Sequence, residues 1–212
     1  MRRLPVYLVL DTSGSMSGEP IAAVKNGVQL LLTNLRQDPY ALETAHLSVI
    51  TFDEKAKQLV PLTELPSFQA PSINASGSTA LGAALSLLAE RIDAEVAKTT
   101  AEEKGDWKPL VFIMTDGGPT DDWRKGLDAL NKVKKGVVVA CAAGPSADTT
   151  VLKQITEVVV SLDTTDDATI KAFFKWVSAS VSVGSQKVDQ RQQEVIGLAD
   201  LPAPPPEVNV VL

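Results

Sequence analysis

Leu4-Pro5-Val6-Tyr7-Leu8-Val9-Leu10-Asp11-Thr12-Ser13-Gly14-Ser15 is the stretch on which the reading of this chain turns. Residues 4–10 are apolar or aromatic without alternation, the pattern of a strand buried on both faces. The character then changes abruptly. Asp11 supplies a carboxylate, Ser13 and Ser15 supply hydroxyls, and Gly14 lets the backbone turn tightly between them. A second run of this kind, Leu110-Val111-Phe112-Ile113-Met114, ends at Thr115-Asp116-Gly117, and Ser78-Thr79 opens a helical pattern. Two carboxylates and several neutral oxygens at strand exits or in loops suit a hard divalent cation that takes only oxygen ligands. They suit catalysis less well, because no base or nucleophile accompanies them.

Short β-branched runs alternate with longer segments of helical spacing along the rest of the chain. Strands are expected at Leu4–Leu10, Leu47–Phe52, Leu110–Met114, Val137–Ala143 and Val158–Leu162. Helices are expected at Pro20–Leu35, Leu81–Val96, Trp123–Val133, Thr150–Ile155 and Ala168–Val183. Lys57–Thr63 follows its predecessor too closely for a crossover, so it reads as an antiparallel neighbour, and Pro61 places it at the sheet edge. The expected fold is α/β, a doubly wound, mostly parallel sheet of about six strands with one antiparallel edge strand and helices on both faces. From Gly184 onward the pattern changes. Gln186–Glu194 is polar and Pro202-Ala203-Pro204-Pro205-Pro206 favours an extended conformation, either a flexible appendage or a strap over the domain.

Bulk properties exclude several classes. The net charge is −6, from 26 acidic and 20 basic residues without a basic block, which argues against nucleic acid as a partner. One cysteine, Cys141, and one histidine, His46, remove an internal disulfide, Cys-rich zinc sites and the Ser-His-Asp arrangement. Charge before an apolar stretch at the N-terminus superficially suggests a signal peptide, but Pro5 and Asp11 cut that stretch short. No run approaches the ~20 apolar residues of a membrane helix. A soluble, cytoplasmic protein that engages no membrane is expected.

With Asp11, Ser13, Ser15, Thr79 and Asp116 in this context, the chain resembles the von Willebrand factor A domain. That family's metal-ion-dependent adhesion site uses Asp-x-Ser-x-Ser, a separate Thr and a separate Asp. The resemblance covers residues 4–183, leaving 184–212 as a polar, Pro-rich C-terminal tail. Residues 35–43, Leu-Arg-Gln-Asp-Pro-Tyr-Ala-Leu-Glu, and 115–121, Thr-Asp-Gly-Gly-Pro-Thr-Asp, are similar to the TerY-type proteins of bacterial tellurium-resistance systems. The resemblance implies a non-enzymatic binding module. Its five residues would hold a divalent cation, Mg²⁺ first and Mn²⁺ or Ca²⁺ as alternatives, with one coordination position left for an Asp or Glu of a protein partner. It further implies a role in tellurium resistance or stress signalling, with a serine/threonine phosphatase and a kinase-like protein as partners.

Each residue also has a plainer reading. Thr79 could be the N-cap of its helix, with Ser76 or Ser78 giving the oxygen instead. Asp121 and Asp122 invite a second-metal reading, but read better as first-turn carboxylates of the helix that starts near Trp123. Trp123 is either a partner anchor or packed on its own sheet. Cys141 reads as a buried hydrophobe and His46 as structural or solvated. Among enzymes, the aspartic proteases need a second carboxylate-bearing copy that this chain lacks. A Mg²⁺-dependent phosphotransferase of haloacid-dehalogenase type is the stronger alternative, but the acid it needs two residues after Asp11 is here Ser13. A scaffold with a vestigial metal site is the third class.

Overall fold

Unbroken apolar strands are buried only if both faces of their sheet are covered. The computed structural model of the chain, which describes residues 2–191 and 198–211, has that arrangement. One sheet contains β1 (Leu4–Asp11), β2 (Ala45–Phe52), β3 (Ala56–Glu64), β4 (Leu110–Thr115), β5 (Val138–Ala143), β6 (Val158–Leu162) and β7 (Asn209–Val210). Their order is β3-β2-β1-β4-β5-β6-β7. The central five are parallel, while β3 on β2 and β7 on β6 are antiparallel. The helices are α1 (Glu19–Arg36), α2 (Pro39–Thr44), α3 (Leu81–Glu95), α4 (Trp123–Asn131), α5 (Thr149–Ile155) and α6 (Asp167–Arg191).

Period-2 geometry divides β1 between two cores. Leu4, Val6, Leu8 and Leu10 pack with α1 and α6 residues such as Val28, Leu31, Phe174 and Val177. Tyr7 and Val9 pack on the other face with Leu85, Leu88, Leu130 and Leu152 from α3, α4 and α5. The expected doubly wound α/β architecture is therefore the one observed.

Two details differ from the sequence expectation, and a third settles an alternative that the sequence leaves open. Residues 39–44 form α2 where no helix was expected. Asp38 caps it by accepting from the amides of Tyr40 at 2.9 Å and Ala41 at 3.3 Å, and Pro39 fits the first turn. The last helix, expected over Ala168–Val183, continues through Gly184 to Arg191, because Gly184 and Ser185 are buried and Lys187 forms an ion pair with Asp200. Residues 192–194, the end of the expected polar stretch, lie outside the described residues. Of the two readings of the Pro-rich segment, the strap is the observed one. Trp176 Nε1 donates to the Pro202 carbonyl at 2.8 Å, Val208 is buried in the α1/α6 core, and β7 adds a seventh strand by pairing Val210 with Val160.

The α3/α4 layer matters most for the site, because α3 begins beside Thr79. Its two helices meet backbone to backbone at Gly82 and Gly126. A Cβ on Gly126 would fall 2.2 Å from the Gly82 carbonyl oxygen, and one on Gly82 would fall 2.6 Å from that of Asp122. Gly126→Ala is expected to push the helices apart and to lower unfolding free energy by about 1–3 kcal/mol in urea titration. An unchanged midpoint would contradict this close approach.

Candidate metal centre

The register sets the site. Asp11 lies opposite Phe52, and Leu10 opposite Met114, so β1, β2 and β4 end level with one another. From β1 the chain passes to β2 on one side and later to β4 on the other. Strand order therefore reverses at β1, which opens a crevice at these carboxyl ends. Asp11, Ser13, Ser15, Thr79 and Asp116 all lie around this crevice.

Asp11 is 1% exposed. Its Oδ1 accepts from the Ser13 amide at 2.8 Å and its Oδ2 from the Thr115 hydroxyl at 2.6 Å. The Ser13 and Ser15 hydroxyls are 3.1 Å apart, and Ser15 donates to Asp116 Oδ1 at 2.8 Å. Ser15 is exposed, so the cluster opens to solvent there, whereas Ser13, Thr79 and Asp116 are buried. A Cβ built on Gly117 would stand 3.8 Å from Thr79 Oγ1, which places that hydroxyl beside the residue after Asp116. Ser76 and Ser78, the substitutes considered for Thr79, are exposed.

Backbone bonds fix the loops that carry these groups. Thr12 donates its amide to the Phe52 carbonyl at 2.8 Å, prolonging the β1/β2 ladder by one residue. The Gly14 amide reaches the Gly77 carbonyl at 2.9 Å, and the Ser76 amide reaches the Thr12 carbonyl at 2.8 Å. Gly77 has φ +73°, a left-handed conformation that glycine adopts without a steric cost. Thr79 is held on both sides by Thr120. The Thr79 amide donates to Thr120 Oγ1 at 3.2 Å, and the Thr120 amide donates to the Thr79 carbonyl at 2.9 Å.

Among the described residues the cluster has no counter-charge, and no ion pair involves Asp11 or Asp116. Burial pushes the Asp11 carboxyl above its ordinary range. Bonds from Ser13 and Thr115 oppose that rise, and the nearby Asp116 charge adds to it. Nor do three or more His, Cys, Asp or Glu side chains gather at any point among the described residues. A cation here would thus be held by two carboxylates and several hydroxyls, a donor set that fits a hard ion and suits soft metals poorly.

The reading of Asp121 needs correction. Its carboxylate does not serve the helix starting at Trp123. It accepts from the amides of Gly82 and Ala83, each at 2.8 Å, and so caps α3 from a different loop. The N-terminal residue before α3, Ala80, has no side chain to do this, and Thr79 is not the cap. Trp123 is 7% exposed and packs with Val9 and Ile113, so the anchor reading fails for it. His46 Nδ1 lies 3.2 Å from the Thr44 carbonyl at the far end of β2. Cys141 is buried, and burial drives its thiol pKa far upward.

Two contributing residues were missed by sequence reasoning. Thr115 donates its hydroxyl to Asp11, and a threonine at a strand's last position, beside an aspartate, is a readable signal. Thr120 left no signal in spacing, because its role is a contact between two loops.

Comparison with known proteins bears on this arrangement. The sequence model of the von Willebrand factor type A domain matches residues 6–175. An uncharacterized protein of Synechocystis sp. is 33% identical over 123 residues, 55% of this chain and 26% of that protein, so the chain spans about a quarter of that relative's length. A pilus adhesin, SpaC, from Lactobacillus rhamnosus GG superposes with a TM-score of 0.68 at 15% identity, covering 87% of this chain and 31% of that one. Proximal thread matrix protein 1 from the mussel byssus, with a zinc-occupied MIDAS motif, gives 0.59 at 19% identity, covering 87% and 46%. At such identities the two structural likenesses concern the fold.

Asp121→Ala removes both cap bonds and is expected to lower stability by about 0.5–2 kcal/mol, to the same extent in chelator and in Mg²⁺. Chemical denaturation under both conditions checks this. A loss seen only with the cation present would restore the second-metal reading.

Proposed function

Since the chain belongs to the von Willebrand factor type A domain family, we propose that it is a metal-dependent protein-binding module whose Asp11, Ser13, Ser15, Thr79 and Asp116 hold one divalent cation. The single observation that carries this reading is the pair of buried carboxylates, Asp11 and Asp116, joined through Ser13 and Ser15 and met by no basic side chain among the described residues. Mg²⁺ is the ion of choice because it dehydrates reluctantly and accepts mixed neutral oxygens and waters. When bound, the ion supplies an electrophilic centre for an incoming carboxylate. Around it the chain's own residues set the selectivity. Exposed Ser15 marks the side open to a partner, while buried Asp11, Ser13 and Thr79 close the others.

The partner class that follows is a protein presenting an Asp or Glu side chain, with binding and not turnover as the outcome. The similarity of residues 35–43 and 115–121 to TerY-type proteins supports placing the module in a bacterial tellurium-resistance or stress-signalling system. A serine/threonine phosphatase and a kinase-like protein are the partners to test there, in the cytoplasm. No helix among the described residues is long and apolar enough to cross a membrane.

Calorimetric titration with Mg²⁺ and Mn²⁺ should give one ion per chain. Ser13→Ala and Asp116→Ala should each weaken it at least about tenfold, the scale of one lost charge-assisted contact, while circular dichroism stays unchanged. Capture of a phosphatase or kinase-like partner should cease in chelator. Equal ion affinity in parent and variants would refute the assignment of ligands, and capture that survives chelation would refute the ion bridge.

A further inference from the structure

At the opposite end of the sheet, where the central strands begin, the described residues line a half-open cleft of about 560 Å³. Roughly 300–1,000 Å³ is the range of small-molecule sites. Its walls come from the segment before β1, the loop joining α3 to β4, and the turn after α4. Cations dominate it, namely Arg2, Lys98, Lys108, Lys132 and Lys134, around a Trp107 floor. Among the described residues two carboxylates share the lining, and both are engaged. Asp93 pairs with Lys98 at 2.7 Å, and Asp106 takes Arg3 Nε at 2.9 Å and the Ala97 amide at 2.7 Å. Arg2, Lys108, Lys132 and Lys134 therefore have no carboxylate partner among the described residues, in a chain whose net charge is −6.

A purely structural use of these charges accounts for only part of them. Cations gather at helix C-termini to meet orphan carbonyls. Lys135 does so, donating to the Leu130 carbonyl at 3.0 Å. Lys132 and Lys134 stand at that same helix end, whereas Arg2 and Lys108 precede β1 and β4. The wall is also fixed before any ligand arrives. Arg2 Nε donates to the Gly105 carbonyl at 2.7 Å, and its guanidinium lies 3.6 Å above the ring of Trp107, itself 4% exposed. Asp106, with a side chain only 5% exposed, ties Arg3 and Ala97 together across the loop. Cations that line one cleft without carboxylate partners repel one another, and a concave wall strengthens their field.

We propose that this cleft binds a small anion carrying several negative charges along its length, of the polyphosphate type. Four cations spread around one cleft match a chain of phosphates better than a single tetrahedral ion. Lysines serve this chemistry as point charges, and Arg2 offers Nη1, its Nε and Nη2 being directed to the Gly105 and Asp106 carbonyls. The volume of the cleft is that of a small-molecule site. This assignment does not depend on the metal centre, which lies beyond the other end of β1.

Titration of the full chain with sodium tripolyphosphate in excess EDTA tests it, with calorimetry as readout and sodium sulfate as the single-ion control. Saturable binding of one tripolyphosphate per chain is expected, with sulfate at least tenfold weaker. Lys108→Glu with Lys134→Glu should weaken tripolyphosphate at least tenfold. Lys134→Gln alone, on an exposed side chain, should weaken it in the same direction. Lys25→Glu with Lys57→Glu makes the same change in net charge on exposed positions elsewhere and should leave affinity within about twofold. Asp116→Ala should bind as the parent does. Non-saturable heats, equal sulfate affinity, or equal weakening in the Lys25/Lys57 pair would overturn the proposal.

Discussion

Two carboxylates at the ends of neighbouring strands, buried and without a basic partner among the described residues, are the constraint around which this molecule is arranged. Removing a carboxylate from water is costly unless it is paired and hydrogen-bonded. Asp11 has the hydrogen bonds, from the Ser13 amide and the Thr115 hydroxyl, but no cationic side chain paired with it among the described residues. Asp116 has Ser15. The hydroxyls partly satisfy the charges and cannot cancel them. A divalent cation would, and the all-oxygen donor set specifies which kind of ion fits.

The rest of the fold keeps those groups together. The parallel order places the ends of β1 and β4 side by side, and hydrogen bonds among Thr12, Gly14, Ser76 and Gly77 fasten the first loop to the segment before α3. Thr120 then clamps Thr79 to the loop after β4, while Asp121 from that same loop caps α3. One loop thus performs two mechanical tasks beside Asp116. The contact of Gly82 with Gly126 brings α4 close enough for both.

Much of this arrangement is legible in the sequence. Continuous apolar runs separated by amphipathic segments fix a covered parallel sheet almost by themselves, and Pro61 marks an edge. The carboxylates were legible because Asp11 and Asp116 each terminate such a run. What escaped was held by contacts between segments far apart in sequence. Asp121 stands next to one helix and caps another, 38 residues away at Ala83, which no local rule reveals. Likewise, a Pro-rich tail looks loose until Val208 finds the α1/α6 core and β7 finds the edge of β6. Helix α2 is a different case. Its Asp38-Pro39 start is a readable cap, but six residues are too short to show a helical period.

Stability measured with and without Mg²⁺, in the parent and in Asp11→Asn, addresses the unpaired charge most directly. The Asp11 carboxyl is raised above its ordinary range, so at neutral pH its charge opposes folding of the metal-free chain. The account predicts that Asp11→Asn unfolds at higher denaturant than the parent in EDTA, and that Mg²⁺ stabilises the parent but not the variant. A variant less stable than the parent in EDTA, or a parent indifferent to divalent cations, would contradict it.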